Sequence, residues 1–114
     1  MNTTTQLIKN LTIPVLLTLA PMSLLADGNA AAGQEKAQIC EACHGPTGLS
    51  VDPNYPKLAG QYKSYLEQAL KDYRSGERSN LIMSGFAAQL SNQDIEDLAA
   101  WFSQQEGLLD PEHE

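Results

Sequence analysis

Both cysteines of this 114-residue chain stand in one short stretch, Cys40-Glu41-Ala42-Cys43-His44, with a histidine directly after the second. The pair sits in a single turn of chain, so its spacing decides what it can do. Three chemistries compete for it. Cys-x-x-Cys-His is the spacing of covalent haem attachment. Two thiols three residues apart at a helix end can each form a thioether with one haem vinyl group, and the adjacent histidine then brings a ring nitrogen to the iron. The second is a disulfide or a thioredoxin-like dithiol; a thioredoxin-type site needs a strand ahead of it in a βαβ setting, whereas an alanine-rich stretch of helix formers precedes this motif. Zinc wants four ligands, and beyond residue 26 the chain offers two cysteines, His44 and a near-terminal His113. The surroundings favour haem, covalently held through Cys40 and Cys43 with iron on His44.

The first 26 residues read as an address. Lys9 is the only charge before Asp27, an uncharged run leads to Ala26, and Pro14 and Pro21 interrupt it. A lysine, an apolar stretch and a small residue before polar chain form a secretory signal. A membrane span needs about 20 apolar residues, more than this run supplies. The expectation is a signal at 1–26, cleaved near Ala26 or within 30–32, a domain at 27–114 with an acidic tail at 108–114, and a periplasmic location. No stable membrane insertion is expected. Cleavage removes one cation and no acid. The net charge of −7, from fourteen acids and seven bases, therefore becomes −8. Such a surface lacks the positive footprint that nucleic acid or an anionic membrane requires, and fits a basic docking patch on a redox partner.

The rest of the chain reads as helices and loops. Residues 29–42 predict a first helix with a narrow stripe of Gly33, Ala37 and Cys40. Three glycines and three prolines between 45 and 60 predict a long loop. Tyr62, Tyr65, Leu66, Ala69, Leu70 and Tyr73 recur as one buried helical face, and Gly76 is placed to end that helix. Residues 77–90 predict an irregular or short-helical connection. Ser91 with Asp94 three residues on resembles a capping box. It opens a last helix whose stripe is Ile95, Leu98, Ala99 and Phe102, widened by Trp101. Nothing alternates with period two, so the expected class is all-α.

Met83 is the single methionine outside the address. It lies after the long helix, on a segment able to fold over a haem, and is the expected second iron ligand. A thioether raises the reduction potential relative to a second imidazole.

Four motifs in order carry a resemblance to a known family. They are Gly33-x6-Cys40-x2-Cys43-His44-Gly45, Tyr55-Pro56-Lys57-Leu58-Ala59-Gly60-Gln61, Gly76-x-Arg78-x-Asn80-x2-Met83, and the helix from Leu90-Ser91 to Phe102. Over residues 28–105 the chain resembles the class I c-type cytochromes, the small bacterial branch with the c-four and c-553 types. The resemblance implies the cytochrome c fold, three main helices and loops wrapped around one covalent haem. It implies that the Pro56 carbonyl holds the other ring nitrogen of His44, and that Gly33 lets the first helix cross the last near Leu98 and Trp101. Gln61, Arg78 and Asn80 stay divided among haem propionates, the Met83 loop and solvent. Some relatives of this branch carry two such domains in tandem, so one domain here would pass electrons to another protein or a second copy.

The expected function is a monohaem single-electron carrier between a donor and a terminal oxidase or reductase. Six-coordinate iron leaves no substrate chemistry, so no enzyme is expected. The competing readings are a haem subunit of a periplasmic dehydrogenase and, less favoured, a five-coordinate gas-binding or peroxidase-type protein.

Overall fold

The computed structural model describes residues 27–107. The expected signal at 1–26, the acidic tail at 108–114 and His113 lie outside the described residues. Five α-helices and one 3₁₀ turn make up the described chain, with no strand among the described residues: α1 Ala30–Lys36, the 3₁₀ turn Ala37–Ile39, α2 Glu41–His44, α3 Lys63–Ser75, α4 Leu81–Ala87 and α5 Asn92–Ser103. The all-α expectation holds.

The first helix does not run unbroken to residue 42. It tightens at Ala37–Ile39 and restarts as α2. A 3₁₀ turn winds the chain more tightly than an α-helix, so Cys40, Cys43 and His44 leave the line set by α1. Asn29 begins α1, its side chain accepting from the Ala32 N–H at 3.1 Å. Gly76 ends α3 in the left-handed region at φ 88°, its N–H on the Asp72 carbonyl. The capping box at α5 is complete: Ser91 Oγ accepts from the Asp94 N–H at 3.1 Å, and Asp94 Oδ2 accepts from the Ser91 N–H at 2.8 Å.

α1 crosses α5, and α3 packs against the same helix. The core is Ala37, Leu66, Leu98, Ala99 and Phe102, with Leu58, Leu70, Leu90 and Trp101 around it. At the crossing, a Cβ on Gly33 would collide with the Asp97 main-chain carbonyl and stand 2.9 Å from Trp101 Cβ. Only a glycine lets the two backbones meet there. The nearest atoms on α5 are thus those of Asp97 and Trp101, not of Leu98.

One expectation about α3 needs correction. The stripe from Tyr62 to Tyr73 is not a face buried in protein: Leu66 is its one buried member, while Tyr62 and Tyr65 are 65% and 50% exposed. Tyr65, Leu66, Ala69, Leu70 and Tyr73 instead line a cavity. The periodicity marks an apolar face correctly, but periodicity cannot tell a protein neighbour from a ligand.

Candidate haem site

Cys40 lies between the 3₁₀ turn and α2, and Cys43 and His44 occupy α2 itself. The His44 N–H bonds the Cys40 carbonyl at 2.9 Å, so one helical turn holds all three on a common side. Gly45, at φ 78°, then swings the chain away. Both cysteines are free thiols. Burial, aided by Glu41 and Cys43, pushes the Cys40 thiol up to about 11. Dithiol exchange works through a thiolate, and this thiol is protonated at neutral pH.

The loop after α2 returns to hold the histidine. His44 is buried, with Nδ1 2.8 Å from the Pro56 carbonyl twelve residues on. A carbonyl only accepts, so Nδ1 carries the proton and donates, and Nε2 keeps the ring's free lone pair. The Gly48 carbonyl draws the loop in, accepting from the Leu58 and Ala59 N–H groups at 2.7 and 3.1 Å. Gly48 stands at φ 86°, where a Cβ would press on Ala59 N and Phe102 Cδ1 at 2.8 Å.

α4 brings Met83 to the same cavity. Asn80 caps this short helix, its Oδ1 accepting from the Ile82 and Met83 N–H groups at 3.1 and 3.0 Å. Of the three polar residues left divided by the sequence, Asn80 therefore serves the Met83 segment. Gln61 Oε1 accepts from the Tyr62 N–H. Arg78 lies 4.8 Å over the Tyr73 ring and donates to the Tyr65 hydroxyl at 3.3 Å, which holds its pKa above the ordinary guanidinium value. Both Gln61 and Arg78 line the cavity.

Cys40, Cys43, His44, Pro56 and Met83 all line this one cavity of about 390 Å³. α3 forms a side of it, and Leu98, Ala99 and Phe102 of α5 contribute to its lining. The donor set is an imidazole with a committed Nδ1, a thioether and two thiols, in a lining that is mostly apolar. These residues fit haem c: the cysteines as attachment points, His44 and Met83 as the available nitrogen and sulfur donors. The structure thus brings every candidate residue of the sequence to one place. Ile39, also in the lining, carries no motif of its own and was invisible in the sequence. So was Asp97, a buried acid that reads in the sequence as part of a solvated helix face.

An all-α chain with this attachment turn and this cavity is of the c-type cytochrome class. The chain belongs to the cytochrome c family, whose model matches residues 30–106. It is 48% identical over 105 residues to cytochrome c4 of Pseudomonas aeruginosa, covering 89% of this chain and 52% of that protein. It is 46% identical over 82 residues to cytochrome c-554(548) of Halomonas halodenitrificans, covering 69% of this chain and 99% of that protein. Among solved structures, reduced recombinant cytochrome c4 from Pseudomonas stutzeri superposes with a TM-score of 0.68 at 45% identity, covering 75% of this chain and 51% of that one. The chain spans about half the length of the cytochrome c4 relatives it matches. Membership brings covalently bound haem c with its iron, and Cys40 and Cys43 stand in the attachment position.

Proposed function

We propose that this protein is a periplasmic single-electron carrier whose haem iron is held between His44 and Met83. Haem c supplies the one-electron chemistry of its iron; the protein supplies ligands, an apolar enclosure and a docking surface. The observation that carries the reading is the single cavity whose lining brings Cys40, Cys43, His44 and Met83 together. The bond from His44 Nδ1 to Pro56 fixes the tautomer and turns the ring before any metal binds. Such outer partners orient a ligand and raise its basicity. Asn80 does the corresponding work for Met83 by starting the helix that bears it. If His44 and Met83 both held the iron, the protein would leave it no position for a substrate. The lysine, apolar run and small residue within 1–26, which read as a secretory signal, support the periplasmic assignment. No helix among the described residues is long and apolar enough to cross a membrane. Redox proteins are the partners, reached with help from the excess of acidic side chains.

Mass spectrometry of the periplasmic protein should give the polypeptide from residue 27 plus one haem that survives acid-acetone extraction. The oxidised protein should show the weak sulfur-to-iron absorption at the red end of the visible spectrum. Met83→Ala should abolish that band, lower the potential and open the iron to carbon monoxide. A bare polypeptide mass would refute haem attachment, and a band that persists in the variant would refute Met83 as ligand.

A further inference from the structure

α1 has almost nothing with which to fix its own position. Its sequence is AAAGQEK, and the one residue it buries is Gly33. Small residues set how closely two helices approach, but a row of alanines offers no knob to decide where along its partner a helix stops. Yet α1 leads within one 3₁₀ turn into Cys40, so any slide or roll of α1 along α5 would carry the attachment motif with it.

The means of fixing it lies on α5. Asp97 is 3% exposed, in the middle of that helix. Its Oδ1 accepts from the Asn29 N–H at 2.7 Å and from Gln93 Nε2 at 2.8 Å; its Oδ2 accepts from Lys36 Nζ at 2.6 Å. Lys36 also reaches Asp94 Oδ1 at 2.8 Å. One carboxylate therefore holds both ends of α1, the residue before its first turn and its last residue. The main-chain carbonyl of Asp97 is also what Gly33 packs upon. Burial alone pushes the Asp97 carboxyl up, but Lys36, the Asn29 N–H and Gln93 outweigh it and hold the group below its ordinary value. It stays charged at neutral pH.

Buried ion pairs are poor devices for raw stability, because desolvation offsets most of the attraction, and apolar replacements often do as well. Their best-attested use is to fix register, since a misplaced partner leaves a buried charge unpaired. Resting on the haem reading above, we infer that Asp97 is a positioning residue that sets the register of α1 on α5 and thereby the placement of Cys40 and His44 at the haem. It touches no haem ligand and works through the helix it holds.

The test uses the haem-loaded protein and two variants. Asp97→Leu replaces the charge with an apolar side chain and removes all three bonds; Asp97→Asn keeps an acceptor for Asn29 but loses the charge for Lys36. Wild type should give one low-spin ferric signal by electron paramagnetic resonance. Asp97→Leu should retain covalent haem but split that signal into two or more species, and shift the redox equilibrium at least twofold. Asp97→Asn should do the same to a smaller degree, and it carries the test if the leucine variant does not fold. A single unchanged signal and an unchanged potential in either folded variant, whatever its unfolding midpoint, would make Asp97 merely structural and overturn the inference. Absence of covalent haem from wild type would instead overturn the haem reading on which it rests.

Discussion

The α1–α5 half and the α3–α4 half of this molecule are built on opposite terms. Where α1 meets α5, backbone packs on backbone at Gly33, and Ile95, Asp97 and Ala100 are buried against protein. On the cavity side, α3 buries only Leu66 and α4 only Ala87, while the cavity-lining Ile82 and Phe86 are 59% and 42% exposed. One half finds its neighbours in its own chain. The other carries apolar side chains whose neighbour is a cofactor. The difference shows how a domain this small divides the work: half the structure is a frame, and half is a lining that becomes a core when haem is attached.

The sharpest way to break that contrast is to withhold the haem. In a Cys40→Ser/Cys43→Ser chain, amide hydrogen exchange should remain slow in α5 and near Gly33 and become fast throughout α3 and α4. Local opening free energies differ across a structure in this way when apolar contacts are unevenly shared. Uniform collapse of protection would show that the frame, too, needs the cofactor.

A smaller effect is expected within the frame. Gly33→Ala should gain about 1 kcal/mol in helix propensity, but its methyl group meets a main-chain carbonyl that has nowhere to go. Overpacking costs about 1–3 kcal/mol, and at a backbone contact the upper part of that range applies, so denaturant titration should show net destabilisation. The equivalent change at Gly85, with open space around it, should be neutral or stabilising.

The smallest effect is reached by acid. Lys36 and the Ser91 cap hold the Asp94 carboxyl down to about 2 from an ordinary 3.8, and Asp97 is also depressed. Groups whose folded pKa is lowered contribute stability above their unfolded value and lose it as pH falls through the folded one. Lys36, raised by Asp94 and Asp97, contributes below its ordinary 10.5 and loses it at higher pH. The link between α1 and α5 should therefore keep full strength through neutral pH and weaken between about pH 4 and pH 2. Stability against denaturant, followed from pH 7 downwards, should begin to fall in that window. Asp97→Asn should flatten the fall.

The frame and the lining were not equally legible in the sequence. Local chemistry was: the attachment turn at residues 40–44, the cap at Ser91 and the stop at Gly76 each follow from residues within a few positions of one another. The Pro56 contact came through resemblance, because nothing local says which carbonyl a loop will bring back to His44. The break at Ala37–Ile39 was hidden because alanine and glutamine suit an α-helix and a 3₁₀ turn alike. Asp97 was hidden for a different reason. Its donors come from Asn29 and Lys36, more than sixty residues away in sequence, and an acid four residues after Gln93 looks like ordinary solvated surface. The tyrosines of α3 were misassigned because an apolar stripe looks the same whether protein or cofactor covers it.

The bonds at Gly48 have a consequence for how this protein can change over generations. Leu58 and Ala59 both donate to the Gly48 carbonyl, so the loop is tied at its neck, with Pro56 only two residues from the knot. Closing a longer loop costs little, about 0.6 kcal/mol for each doubling of its length. The tip at residues 52–53, exposed and outside both the knot and the cavity lining, is therefore the part of the haem side freest to vary in sequence and to accept inserted residues. New surface character can be acquired there while the imidazole keeps its partner.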